Sequence, residues 1–177
     1  PILGIEGGIS IIGTSGIVRP MSEEAFKNSL TPQIDVAFAA GHSSQIFVPG
    51  KIGENIAVTL GLPQQAIVQT SNFIGYMLEY AAEKKLENVL LPGHLGKLVK
   101  GAAGNFHTHS KVSDARLETL AAYSALLGMD QSGIKRIFAC ATTEAAMSVI
   151  NDYKLGEKLY PLLCQRASER SMRHVYN

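Results

Sequence analysis

The residues best equipped for chemistry stand in one polar run, Gly104-Asn105-Phe106-His107-Thr108-His109-Ser110, followed by Asp114, Arg116 and Glu118. The run reads as a loop leading into a helix. Two histidines two apart point the same way in an extended segment, where they could bind a metal, act as acid and base, or bond a carboxylate-rich substrate. The metal reading is the weakest, because third and fourth ligands would have to come from His94 or Asp114 by folding that spacing does not dictate. No metal is therefore expected. Asp114 is as readily a helix N-cap as a catalytic acid. Lys97, Lys100 and Arg116 lie beside these segments and could pair with carboxylates, arginine in bidentate fashion. Lys100 reads as part of a solvated helix face, whereas Lys97, just past a glycine-containing loop, is evenly balanced between surface and site.

A second group of candidates lies in four loops that each follow an apolar run: Gly13-Thr14-Ser15-Gly16, Gly50-Lys51-Ile52-Gly53, Ser71-Asn72-Phe73-Ile74-Gly75 and Gly93-His94-Leu95-Gly96. Glycines that open a helix let backbone amides face a phosphate or a nucleoside and leave room for its approach. For any one loop, the plainer explanation is that glycine tightens a turn. Neither GxGxxG nor GxxxxGK[ST] occurs, so a nucleoside or amino-acid ligand is favoured over a phosphate-dominated one. Where an acidic residue commonly ends the second strand and bonds a ribose, the chain offers Thr70, Ser71 and Asn72. Asn72 could take that role, and Glu54 sits too near the first loop to substitute. Gly41-His42-Ser43-Ser44 is no nucleophile elbow, which disfavours a serine hydrolase, and His42, placed before a strand, reads as structural.

The elements that must position these residues follow from the apolar spacing. Gly8–Ile12, Gln45–Val48, Ala66–Gln69 and Val89–Leu91 read as strands, each ending in one of the four loops. Helices are expected after Ser22, which can cap the first, with a kink or restart at Pro32. More follow from apolar stripes over 56–60, 74–81 and 95–102. Consecutive strand-loop-helix units imply a parallel sheet, and right-handed crossovers bring the loops to one edge, where open α/β sheets bind ligands. After about Gly104 the strands stop. Helices are expected over 114–127, 130–139, 142–150 and 155–173, the last amphipathic enough to pack on the sheet or on another chain in a homo-oligomer. The expected fold class is α/β: an open, mainly parallel Rossmann-like sheet with flanking helices, a single cofactor-binding domain over 1–177 whose part from 105 to 177 is mostly helical.

Composition narrows the function. With 46% hydrophobic residues the chain can bury a full core. Sixteen basic against fifteen acidic residues leave a net charge of +1, without the basic excess that nucleic-acid binding usually demands. Cys140 and Cys164 form no CxxC pair, which suits incidental thiols in a reducing compartment. No apolar run reaches the ~18 to 20 residues of a membrane span, and Pro1-Ile2-Leu3-Gly4 lacks the charged region of a signal peptide. A soluble, cytoplasmic protein acting on a small molecule is expected, and the missing initiator methionine suggests a processed or truncated chain.

One stretch, Ile9-Ser10-Ile11-Ile12-Gly13-Thr14-Ser15-Gly16-Ile17-Val18-Arg19-Pro20-Met21-Ser22, resembles the signature of the cobalt-precorrin-5B C1-methyltransferase family of CbiD type. The likeness continues through Gln69–Gly75, Gly93–Leu98, Ala102–Gly104, Thr108–Ser110 and Asp114–Arg116. Family members are roughly twice this length, so the chain resembles their C-terminal half without the N-terminal domain. The turn Val48-Pro49-Gly50-Lys51 departs from the more threonine-rich one expected there. The resemblance implies transfer of a methyl group from S-adenosylmethionine to C1 of cobalt-precorrin-5B, a corrinoid, giving cobalt-precorrin-6A in anaerobic cobalamin synthesis. It further implies that Gly13, Thr14, Ser15, Gly16, Gly50, Ser71, Asn72, Gly93 and His94 hold the cofactor. Lys97, His107, His109 and Arg116 would then meet the macrocycle's carboxylates or its cobalt, with the two histidines as the catalytic candidates. The competing reading is a non-catalytic nucleotide-binding or assembly module, since glycine loops bind ligands without implying chemistry. A Rossmann dehydrogenase is disfavoured by the missing GxGxxG.

Overall fold

The structure, a computed structural model, describes residues 22–176. The expected strand Gly8–Ile12 and the loop Gly13-Thr14-Ser15-Gly16 lie outside the described residues. The chain enters through two short helices, α1 (Glu23–Asn28) and α2 (Pro32–Ala39). Ser22 caps α1 by accepting from the Ala25 amide at 3.1 Å, and Pro32 stands in the first turn of α2, so the proline starts a new helix rather than kinking one.

Three parallel strands follow, β1 (Ser44–Val48), β2 (Ile67–Gln69) and β3 (Asn88–Leu90), in the order β2-β1-β3. Helix α3 (Lys51–Thr59) joins β1 to β2, and α4 (Ile74–Glu83) joins β2 to β3. Reversing direction across a sheet with right-handed crossovers requires the second helix to change face. Accordingly, α3 packs with Ile46 and Val48 on one face, while α2 and α4 pack with Phe47 and Val68 on the other. Phe47 is fully buried there, and burial of such a side chain contributes roughly 1.5–3 kcal/mol.

The rest is helical: α5 (Leu95–Ala102), α6 (Arg116–Leu126), α7 (Gln131–Phe138), α8 (Thr143–Asp152) and the 21-residue α9 (Gly156–Tyr176). Val99, Leu120, Ile137, Ile150 and Leu159, one from each, close a second core. Side-chain caps at Asp130 and Thr142 start α7 and α8. Asp114 is not a cap: α6 begins after Ala115 without a side-chain cap, and the Asp114 carboxylate pairs with Arg116 instead. No described helix is long and apolar enough to cross a membrane.

Candidate functional site

The three described loops meet at the C-terminal edge of the sheet, as consecutive βαβ units require. Their proximity is tight enough to exclude side chains. A Cβ on Gly53, in the first turn of α3, would lie 2.5 Å from the Pro92 carbonyl oxygen of the third loop, and one on Gly93 would meet the Pro49 ring at 3.1 Å.

Lys97, in the first turn of α5, ties these loops together. Its ammonium donates to the Pro49 carbonyl at 2.8 Å and to Asn72 Oδ1 at 3.0 Å, so one side chain from the third loop's helix holds the first and second. Burial holds its amine below the ordinary lysine value, and the neighbouring Lys100 adds to the effect. Two of the three N–H groups are used, and Asn72 keeps its amide nitrogen as a donor.

The second loop is a closed turn in which the Phe73 amide bonds the Thr70 carbonyl at 3.0 Å. Ser71 takes φ 53° within it, a left-handed conformation that costs a non-glycine residue on the order of 1 kcal/mol. The polar run after α5 lies antiparallel beside this turn. The Thr108 amide donates to the Asn72 carbonyl at 2.9 Å, Gly75 donates to the Phe106 carbonyl at 3.1 Å, and Phe73 bridges His107. The hydroxyls of Thr70 and Thr108 are both buried and have no hydrogen-bond partner among the described residues. Orphaned hydroxyls are rare in protein interiors, and those of Ser124 and Tyr160 are orphaned as well, so the two threonines leave this turn incompletely bonded without opening it to solvent.

The histidines of the run share no partner. His107 stacks on Phe73 with ring centroids 5.1 Å apart, and its Nε2 lies 3.5 Å from Glu23. His109 is exposed and accepts from the Lys111 amide through Nδ1. His94 caps α5, its Nδ1 accepting from the Gly96 amide at 3.1 Å, which leaves Nε2 to carry the proton it donates to Glu144. Arg116 spends its guanidinium on Asp114, through Nε at 2.6 Å and Nη2 at 2.9 Å. Gly50 precedes an α3 N-terminus without a side-chain cap, and space beside it is open. Among the described residues no group of three or more His, Cys, Asp or Glu side chains is placed to hold a metal ion.

Lys100 is not on a solvated face. It is 3% exposed, and its ammonium donates to the Thr108 carbonyl at 3.0 Å and the Ser113 carbonyl at 2.7 Å. The helix turns it inward because Val99, Gly101 and Ala102 around it are also buried, and the loop wraps over its tip. Two further partners escape a reading of spacing. Glu144 lies fifty positions beyond His94 in sequence and offers no local signal. Glu54 accepts from Gln69 Nε2 at 2.9 Å and pairs with Lys51, so α3 brings a carboxylate to the end of β2, where the strand itself has none.

Residues 107–177 match the family model for the CbiD C-terminal domain. The whole chain is 51% identical over 177 residues to cobalt-precorrin-5B C(1)-methyltransferase of Desulfitobacterium hafniense, covering 99% of this chain and 46% of that one. The proteins of the same name from Moorella thermoacetica and Methanocaldococcus jannaschii are 52% and 48% identical, over 97% and 96% of this chain and 47% of each relative. The chain therefore spans about half the length of the curated relatives it matches. No solved structure matches it significantly. Identity near one half, sustained across almost every residue present, makes the chain similar to about half of the cobalt-precorrin-5B C(1)-methyltransferases, with residues 107–177 matching the CbiD C-terminal domain.

Proposed function

We propose that this chain forms the donor-binding part of an enzyme that methylates C1 of cobalt-precorrin-5B, giving cobalt-precorrin-6A during anaerobic cobalamin synthesis, with S-adenosylmethionine as methyl donor. The observation that carries this reading is the similarity of almost all of this chain to about half of the proteins bearing that name, joined to three βα loops fastened at one sheet edge by Lys97.

The donor set fits an amino-acid nucleoside. The uncapped start of α3 and the Asn72 amide nitrogen suit a carboxylate. Glu54 or Asn72 suits ribose hydroxyls. When bound, S-adenosylmethionine supplies an electrophilic sulfonium methyl to a carbon nucleophile. The protein's task is then alignment, which the interlocked loops perform by fixing three segments relative to one another before the substrate arrives. Gly50, Ser71, Gly93 and His94 shape this edge, and His94, with both nitrogens engaged, acts by holding the start of α5. Gly13 to Gly16 would supply the fourth loop. His107, His109, Lys97 and Arg116 face the macrocycle's carboxylates in this reading, Arg116 by exchanging Asp114 for substrate. A small-molecule corrinoid partner and a cytoplasmic setting accompany the proposal.

Calorimetric titration with S-adenosylhomocysteine, using NAD as the control ligand, tests it. Saturable binding of the first and not the second is expected, by this chain or, if the site is completed by the other half, by the full-length Desulfitobacterium relative. Binding by neither, or preference for NAD, would overturn it.

A further inference from the structure

Parallel sheets are normally covered on both faces, because their strands are apolar on both. Here one face is well covered by α2 and α4, whereas among the described residues the cluster on the other is built only from β1, β2, α3 and the turn at 62–66. Leu90 pairs in register with Ile46 and so shares that second face, yet it is 50% exposed, and among the described residues β3 is an edge strand. The helix on this face is itself bare on its flank. Gly53 and Ala57 turn inward, while Ile52 and Leu60 are 54% and 64% exposed and line, with Ile56, an apolar groove of about 290 Å³. A helix and a strand that leave apolar side chains in water on one side of one sheet constitute an unfinished core.

We infer that this face, Leu90 on β3 together with Ile52, Ile56 and Leu60 on α3, is the seat of the other half of the family's full-length chain. The occupant follows from length: each relative carries about as many residues again as this chain matches, and a parallel sheet with one face half covered is what remains when a polypeptide that packs there is not included. The seat adjoins the loop edge, because α3 begins just after Gly50 and β3 ends just before Pro92. The other half therefore reaches the candidate site from the α3 side of the sheet. The inference rests on similarity to these longer relatives and on packing, and holds whichever ligand the loops bind.

The test uses the full-length Desulfitobacterium relative with a photo-crosslinking p-benzoylphenylalanine at the positions aligned with Ile52 and Leu60. Mass spectrometry should find crosslinks to peptides outside the stretch that matches this chain. Crosslinks to the segment aligned with residues 1–21, a crosslinked species of twice the mass, or none at all would each overturn the inference. A second measurement is independent of crosslinking. The pair Ile52→Glu and Leu60→Glu should shift the melting temperature of this chain by no more than about 2 °C, since both sites face water, and should lower that of the full-length relative by several degrees. Equal small shifts in both proteins would also sink it.

Discussion

The Lys97 ammonium donates to Asn72 Oδ1 at 3.0 Å across twenty-five residues of sequence, while holding the Pro49 carbonyl at 2.8 Å. A lysine at the loop edge that is already committed to two protein acceptors is a fastener first. Whatever it offers a ligand, it offers with one remaining N–H. Replacing it with methionine keeps the length and removes both bonds. Bonds to charged groups contribute about 1.5–3 kcal/mol each, less here because removing the charge also relieves its desolvation, so Lys97→Met should cost about 1–3 kcal/mol in urea denaturation. Affinity for S-adenosylhomocysteine should fall about tenfold or more. Unchanged stability with lost binding would make Lys97 a ligand contact instead.

Lys100 offers a test of the neighbouring loop. Lys100→Met strands two carbonyls that the chain has wrapped around its ammonium, at a cost of about 1–3 kcal/mol, and hydrogen exchange should accelerate over 105–115 before it does in the strands.

The same residue predicts a pH dependence. Burial holds the Lys100 amine below its ordinary 10.5, against the pull of Asp114 and with a smaller push from Arg116. Between the folded value and 10.5 the unfolded chain binds more protons, so this group's contribution to stability rises with pH across that window. The stability difference between the native chain and Lys100→Met should therefore widen as pH climbs from neutrality toward 10.5, measured by urea denaturation at each pH. A difference flat with pH would show that Lys100 titrates as an ordinary lysine.

Thr70→Val separates folding from binding. The Thr70 hydroxyl is buried with no partner among the described residues, so removing it should leave the melting temperature unchanged or slightly higher. Because the hydroxyl is enclosed by protein, calorimetry should show S-adenosylhomocysteine binding by Thr70→Val within about twofold of the native chain's, and a larger loss would show that the turn opens to let the hydroxyl reach the ligand.

Gly53→Ala tests the closeness of the loops. The new methyl would stand 2.5 Å from the Pro92 carbonyl, a backbone atom that cannot swing away, so α3 and the third loop must part. A loss of about 1–3 kcal/mol is expected from thermal unfolding, with binding weakened alongside.

Local pattern specified most of the architecture. Apolar runs of three residues with glycine or asparagine two to four positions beyond mark β1, β2 and β3 to within a residue or two, and the caps at Ser22, Asp130 and Thr142 are side chains one turn from the amides they bond. Parallel strands with right-handed crossovers then oblige the loops to meet at one edge. These features depend on neighbours in sequence or on chirality, and both can be read from a string of residues.

Partners were decided elsewhere. Lys100 carries a charge on a short helix and looks like any surface lysine, until the 105–115 loop folds back and supplies the carbonyls that make its burial tolerable. Glu54 comes to the end of β2, Glu144 comes to His94, and Asp114 pairs with Arg116 where a helix cap was equally open. Hydrogen bonds and ion pairs form between groups that packing brings within about 3 Å, and sequence separation carries no memory of that distance. By itself the sequence determined the three described strands, their loop edge and the family resemblance; only the tertiary structure decided which polar groups at that edge are spent on holding the protein together and which stay unpaired among the described residues.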